Sequence, residues 1–417
     1  MFGDRHVIVV DLGFGDAGKG ATVDWLCSPP AGLDVAAVVR FNGGAQAAHN
    51  VVAAGRHHTF RQFGSGTFSG VPTLLSRHML VEPIALAAEA RALAALGVAD
   101  PLSLLYVDER ALLTTPIHGA ANRCREDARG ASRHGSCGLG IGETADYART
   151  HDAPRVADCR NPDALRRKLI ALEEHYRPLL AGGAHRHDPI DDLIDLYREF
   201  AHAVAILPGD QLAGFADAGR LVFEGAQGVL LDEWRGLHPH TTWSTVEPRN
   251  ARAMLARIGA PAYVLGVTRA YGTRHGAGPF PTEDPALAIP EHHNGTGPYQ
   301  GEFRIGHLDP ILLRYAVDAC GGIDGLAVDH LDALGEIRTA TGYLTPDGYT
   351  DRLHCGAWRD LGHQQRLTDL LDTATPVLTS LPTDITTYLE AELGVPVVLT
   401  AHGPDRADRT IRVATTA

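Results

Sequence analysis

The most constraining stretch of this 417-residue chain is Val9–Gly20, VVDLGFGDAGKG, at the end of an apolar run that begins at His6. Gly13, Gly18 and Lys19 have the GxxxxGK spacing of a phosphate loop, and the helix-like Ala21–Leu26 follows. Glycines let backbone N–H groups converge on phosphate oxygens, a helix N-terminus adds partial positive charge, and a lysine reaches the terminal phosphates. The Ser or Thr that usually follows the lysine, and would ligate Mg²⁺, is Gly20 here. Asp16, inside the loop, is then either the replacement ligand or a base beside the phosphate. The plainer alternative is a Gly-rich strand–helix turn with an exposed aspartate.

Further short apolar runs bounded by Gly or polar residues predict buried strands at Val35–Arg40, Leu221–Phe223, Tyr263–Val267, Gly325–Ala327 and Val397–Thr400. Helical spacing marks Glu82–Leu96, Pro162–His175, Asp188–Leu207, Pro310–Cys320 and Asp384–Leu393. Strands alternating with helices predict an α/β fold around a mostly parallel central sheet. No linker, repeat or low-complexity tract divides the sequence, so residues 1–417 are expected to form one large domain. The Gly-, His- and Pro-rich segments Arg56–Gly70, His134–Glu143, Leu237–Ser244 and Gly272–Gly301 are expected as long loops, where function concentrates.

Charge narrows the partners. The chain carries 37 Lys+Arg against 50 Asp+Glu, a formal charge of −13, which argues against nucleic-acid binding. An anionic substrate must therefore be held by a local cluster of donors. Six scattered cysteines without a CxxC pair predict a reduced, cytoplasmic protein. No signal peptide and no 18-residue apolar run are present, so no membrane segment is expected.

Three more loops follow predicted strands: Arg40–Asn50 (RFNGGAQAAHN), Phe223–Asp232 (FEGAQGVLLD) and Tyr271–Glu283 (YGTRHGAGPFPTE). Each is a glycine-containing turn with polar side chains, as a ligand crevice at strand ends requires. Taken in order, the segments resemble the adenylosuccinate synthetase family. That family's loops read approximately GxxxGDEGKGK, VRxxGGxNAGHT, FEGAQGxLLD, TRVGAGPFPTE, GWxD…RxA, TKLDVL and GVPV…SxGPxR. The counterparts are Gly15–Gly20, Arg40–Asn50, Phe223–Asp232, Thr273–Glu283, Gly306–Asp309 with Arg314, Asp329–Leu334 and Gly394–Arg406.

The resemblance implies a ligase that phosphorylates the 6-oxygen of a purine nucleoside monophosphate from a nucleoside triphosphate. The amine of L-aspartate then displaces phosphate. It implies that Asp16 removes the purine N1 proton and contacts Mg²⁺, that His49 is the acid beside the transferring phosphoryl group, and that Gln227 assists. Gly15, Gly18, Lys19 and Gly20 would hold phosphates, and the Ala48 peptide oxygen would be a second Mg²⁺ contact. Gln46 and Thr242 would lie near the monophosphate. Asp332 would read the triphosphate base, and Gly403 would cover it. Thr296, Gly297 and Arg304 would bind aspartate. The family also implies a homodimer that shares its site.

The departures concern specificity. His330 stands where the family has a guanine-reading lysine, which opens ATP beside GTP as donor. The aspartate loop is NGTGPYQGEFR, Asn294–Arg304, with its arginine cluster reduced to Arg304. The monophosphate loop is GSCGLG, with Cys137 for a hydroxyl and Leu139 for an arginine. Arg149 and His151 are nearby candidates for the arginine that a partner subunit lends. Together with HHTFRQFGSGTF (His57–Phe68), these changes resemble the phage and archaeal branch that makes 2-amino-(deoxy)adenylosuccinate from (d)GMP. Asp16 points the other way, because a smaller residue is expected there in that branch. The readings carried forward are an IMP-type ligase, a (d)GMP-type ligase or one using a modified nucleotide or another amine, and a silent nucleotide-binding protein.

Overall fold

Each of the six residues of the first strand, His6–Asp11 (β1), is buried, because both faces of its sheet are covered. Ile8 and Val10 point into one apolar layer, with Phe41, Phe223 and Val264. Val7 and Val9 point into the other, with Val23, Val38, Val222 and Leu265. Alternation between two buried faces explains why the strand reads as an unbroken apolar run rather than a polar–apolar alternation.

The computed structural model describes residues 2–130, 133, 135–291, 294, 299 and 301–412. Within them the main sheet has ten strands. After β1 come Val35–Arg40 (β2), Thr73–Leu75 (β3), Leu105–Asp108 (β4), Ala205–Leu207 (β5), Arg220–Gly228 (β6), Ala262–Arg269 (β7), Gly325–Asp329 (β8), Val397–Ala401 (β9) and Arg409–Ile411 (β10). Their order across the sheet is β10-β9-β8-β7-β1-β6-β2-β3-β4-β5. Every pairing is parallel except β9 with β10. This is the α/β architecture that strand–helix alternation predicts. The central position of β1 puts its C-terminal loop between those of β6 and β7, where an open parallel sheet places its ligand crevice.

Helices cover both faces and the β5 edge. Glu82 caps Pro83–Ala95 and Asp384 caps Ile385–Leu393, each accepting from backbone N–H groups of the first turn. Pro116–Arg129, Pro162–Gly182 and Ile190–Ala203 pack a third apolar cluster against β3 and β4. Among the described residues no helix is long and apolar enough to cross a membrane.

Three expectations need correction. The helix expected over Asp188–Leu207 ends at Ala203, and Ala205–Leu207 instead forms the edge strand β5. Extended Val204 breaks the helix there, and pairing with β4 outweighs continuation. The loop expected at Arg56–Gly70 begins as a strand: Arg56–Phe60 pairs antiparallel with His49–Ala53 through a turn at Ala54 and Gly55, both at positive φ. Likewise Gly272–His275, expected as loop, pairs with Phe303–Gly306.

Candidate active site

The C-terminal ends of β1, β2, β6, β7, β8 and β9 open onto one cavity of about 780 Å³. Its walls include Gly15, Asp16, Gly18, Lys19, Gly20, Gln46, Ala48, His49, Cys137, Gln227, Thr242, His330 and Gly403. Thirteen residues singled out from seven separate sequence segments therefore meet in a single space.

The phosphate loop is built around a residue that motif reading passed over. Asp11, fully buried at the end of β1, accepts from the N–H groups of Gly13 (2.8 Å) and Ala17 (2.9 Å) and from Lys19 Nζ (2.9 Å). Lys19 is thus not a free cation. Its charge is matched by Asp11, and the pair holds the loop in shape around the space where phosphate oxygens would lie. Gly18 has φ +98°, and a Cβ there would stand 1.7 Å from Asp329 Oδ2. A Cβ on Gly20 would meet the Cβ of His49 at 2.5 Å. Both glycines are required by close approach rather than by flexibility alone.

His49 is buried at the start of its hairpin, and its Nδ1 lies 2.6 Å from Glu224 Oε1. Glu224 is fully buried and also accepts from the Ser65 N–H (3.0 Å) and hydroxyl (2.5 Å). Burial by itself would raise the Glu224 pKa, but His49, Arg40 and these hydrogen bonds outweigh it and bring it down to about 2. Burial lowers the His49 pKa, against the pull of Glu224. An ionised Glu224 only accepts, so Nδ1 carries hydrogen and Nε2 is left buried without a partner. The imidazole is therefore held by one nitrogen and available at the other. Glu224 was not singled out from sequence. The signal was there: a carboxylate between Phe223 and Gly225, inside a stretch with strand character.

Around this pair sit polar groups with no partner inside the protein. Both amide atoms of Gln46 and the Oε1 of Gln227 are buried and unpaired, and Gln227 has φ +60°. Asp16, at φ +61°, keeps its carboxylate about one-quarter exposed in the cavity, and Arg269 Nε donates to its peptide oxygen (2.6 Å). Left-handed backbone at non-glycine residues concentrates at functional sites. His330, also at φ +60°, has an unpartnered Nδ1, and burial with Arg269 and Arg409 pushes its pKa down to about 2. The residue in the lysine's place is thus a neutral imidazole. Its neighbour Asp329 is buried against Arg409 (2.9 Å).

The remaining positions divide. Thr242 and Gly403 face the cavity. So does Cys137, whose thiol burial pushes upward and keeps protonated. Arg149 faces it as well, 5.4 Å over the Trp243 ring. Asp332 is exposed and does not line the cavity. Arg304 does not line it either. Its guanidinium donates to Glu283 (3.0 and 2.5 Å) and to the carbonyls of Gly276 and Gly278, because its strand pairs Arg304 with Arg274 beside that loop. In this structure Arg304 braces the 276–283 turn. Thr296 and Gly297 lie outside the described residues.

No group of three or more His, Cys, Asp or Glu side chains among the described residues is arranged to hold a metal by itself. Mg²⁺ suits such a site, because it takes one or two protein oxygens and fills its shell with water and substrate phosphates. Asp16 and the Ala48 peptide would supply those oxygens.

Comparison with known proteins decides the family. The adenylosuccinate synthetase family model matches residues 8–410. The chain belongs to the adenylosuccinate synthetase family. Adenylosuccinate synthetases of Neisseria meningitidis serogroup B and Neisseria gonorrhoeae are each 31% identical to it, over 98% of both chains. Its fold is similar to that of the fully ligated adenylosuccinate synthetase of Plasmodium falciparum, with a TM-score of 0.82 at 20% identity, covering 98% of this chain and 100% of the other. It is also similar to the succinoaminodeoxyadenylate synthetase of cyanophage S-2L, solved with dGMP and dATP, with a TM-score of 0.60 at 17% identity over 98% and 95%. Adenylosuccinate synthetases are C–N ligases, and in general they require Mg²⁺ and use IMP, aspartate and GTP.

Proposed function

We propose that this chain condenses L-aspartate with an IMP-type purine nucleoside monophosphate, at the cost of one nucleoside triphosphate. The observation that carries the reading is the meeting of Asp16 and His49 in one cavity, His49 held at Nδ1 by Glu224 and open at Nε2. A binding protein needs neither group.

Asp16 accepts the N1 proton of the purine as the 6-oxygen attacks the γ-phosphorus, which releases the nucleoside diphosphate. His49 Nε2, with Glu224 behind it, stabilises the charge on the transferring phosphoryl group. The aspartate amine then adds to C6, and the C6–O bond breaks with its electron pair leaving on phosphate. Gln46 and Gln227 offer unpaired amide atoms to the bound purine or its phosphate. Asp16 and the Ala48 peptide oxygen would hold Mg²⁺, which would supply charge neutralisation on the triphosphate. Because His330 is neutral, both GTP and ATP belong in the assay. A cytoplasmic homodimer, with Thr296 and Gly297 near aspartate, completes the reading.

The similarity to the cyanophage enzyme supports a second reading, with GMP or dGMP in place of IMP. Asp16 in the base position favours the first. The test is a mass spectrum of products from purified protein with Mg²⁺, aspartate and IMP, GMP or dGMP, each with ATP or GTP. A succinyl adduct from IMP alone supports the main reading, and one from GMP or dGMP replaces it with the second. No adduct from any of them overturns both.

A further inference from the structure

The loop after β7 departs from the family pattern given above at one position that touches the proposed base. Where the family pattern reads TRVGAGPFPTE, this chain reads TRHGAGPFPTE, so that an imidazole, His275, replaces a valine. His275 ends the short strand Gly272–His275, paired in register with Phe303 and packed edge-on against that ring at 4.8 Å between centroids. Its Nε2 stands 3.6 Å from Asp16 Oδ2, its Nδ1 is buried without a partner, and both residues line the cavity. Among the described residues, His275 is the side chain that faces the Asp16 carboxylate at ion-pair distance.

We propose that His275 is a positioning residue for Asp16, donating from Nε2–H to the carboxylate and aiming its other oxygen at the purine. The argument rests on the reading of Asp16 as the base. A carboxylate that must accept a proton offers only acceptors, so the nitrogen facing it carries the hydrogen. Asp16 sits in a left-handed turn between glycines, and its own loop supplies no side chain to hold the carboxylate. Valine could only fill space there, whereas the imidazole adds a directed bond. The ring is fixed by Phe303, and the sheet register with β-strand Phe303–Gly306 fixes its backbone. At 3.6 Å the contact is longer than a finished hydrogen bond, as is common before substrate closes a site.

The experiment uses full-length His275→Val, the residue of the family pattern, and His275→Gln, whose amide nitrogen falls where Nε2 stands. Steady-state kcat and KM are measured with saturating triphosphate, alongside thermal melting. His275→Val is expected to lower kcat by roughly ten- to hundredfold, the worth of one hydrogen bond to a charged group. KM for the triphosphate and the melting temperature should stay as in the wild type. His275→Gln is expected to recover most of the loss. Wild-type kcat in His275→Val overturns the proposal, as does an equal loss in both variants or a loss that tracks a fall in melting temperature. If the wild-type protein turns over, such a result removes this inference alone. A wild-type protein that makes no succinyl product takes the functional reading down with it.

Discussion

The two halves of the cavity are built differently. On the phosphoryl-transfer side, Asp11, Lys19, His49 and Glu224 are buried on or next to central strands, and each is paired within the protein. On the side expected to hold monophosphate and aspartate, Cys137, Arg149 and Thr242 sit on loops and helix ends, and Arg304 is engaged with Glu283. A developing charge needs dipoles and protons fixed in advance, and packed strand ends supply that rigidity. Recognition of a particular nucleotide or amine tolerates loops that differ between relatives. The altered aspartate and monophosphate loops belong to this second half.

Four substitutions can break or sharpen this contrast. The largest effect is expected for Asp16→Asn. It should lower kcat by about 10²- to 10⁴-fold, the range for loss of a general base, with the melting temperature unchanged because the side chain is only partly buried. Turnover at the wild-type rate would remove Asp16 from the chemistry. Next is Glu224→Gln, which keeps the size but loses the carboxylate that holds His49. Its kcat should fall roughly ten- to hundredfold.

Glu224 also makes an acid-stability prediction. Its folded-state pKa, about 2, lies below the ordinary 4.5. The carboxylate therefore contributes its full stabilisation above pH 4.5, and loses it as pH falls from 4.5 towards 2. In Glu224→Gln, melting followed across that window should lose part of its pH slope. An unchanged slope would show that the carboxylate is not preferentially ionised in the fold.

Smaller effects are expected on the loop side. Arg304→Ala should cost about 1–3 kcal/mol of stability, through the carbonyl and carboxylate partners it leaves behind, with little change in KM for aspartate. A tenfold rise in that KM with unchanged melting would instead return Arg304 to aspartate binding. Cys137→Ser should be the mildest, within roughly threefold in KM for the monophosphate, since a hydroxyl of similar size replaces the thiol. A much larger rise would show that the apolar sulfur shapes the pocket.

Much of this arrangement was legible from residues in order along the chain. β1 and its loop, the segment around His49 and the FEGAQG turn were readable because short-range requirements dominate there. A buried strand must be apolar, and a backbone that wraps phosphate must carry glycine. Asp16 stood out as a carboxylate inside a phosphate loop, and His49 could be named through the family resemblance of its loop. The boundary at Ala203 and the hairpin Arg56–Phe60 were not readable. Helix and strand compete there, and the winner is set by a neighbouring strand distant in sequence.

Pairings across the fold were beyond local reading for the same physical reason. The motif names Lys19 as a phosphate-binding cation but not the Asp11 carboxylate that pairs with it, and it names Arg304 but not the Glu283 carboxylate it engages. Glu224 becomes the support of His49 only when the fold brings together two side chains 175 residues apart, and His275 reaches Asp16 only when β1 and β7 lie side by side. Composition and motif order determined that this chain is an α/β protein of the adenylosuccinate synthetase family with its chemistry at the strand ends. Which charges are matched, which polar atoms stay open and which arginines are already engaged depended on long-range packing, because an ion pair or hydrogen bond exists only at a distance that the whole sheet sets.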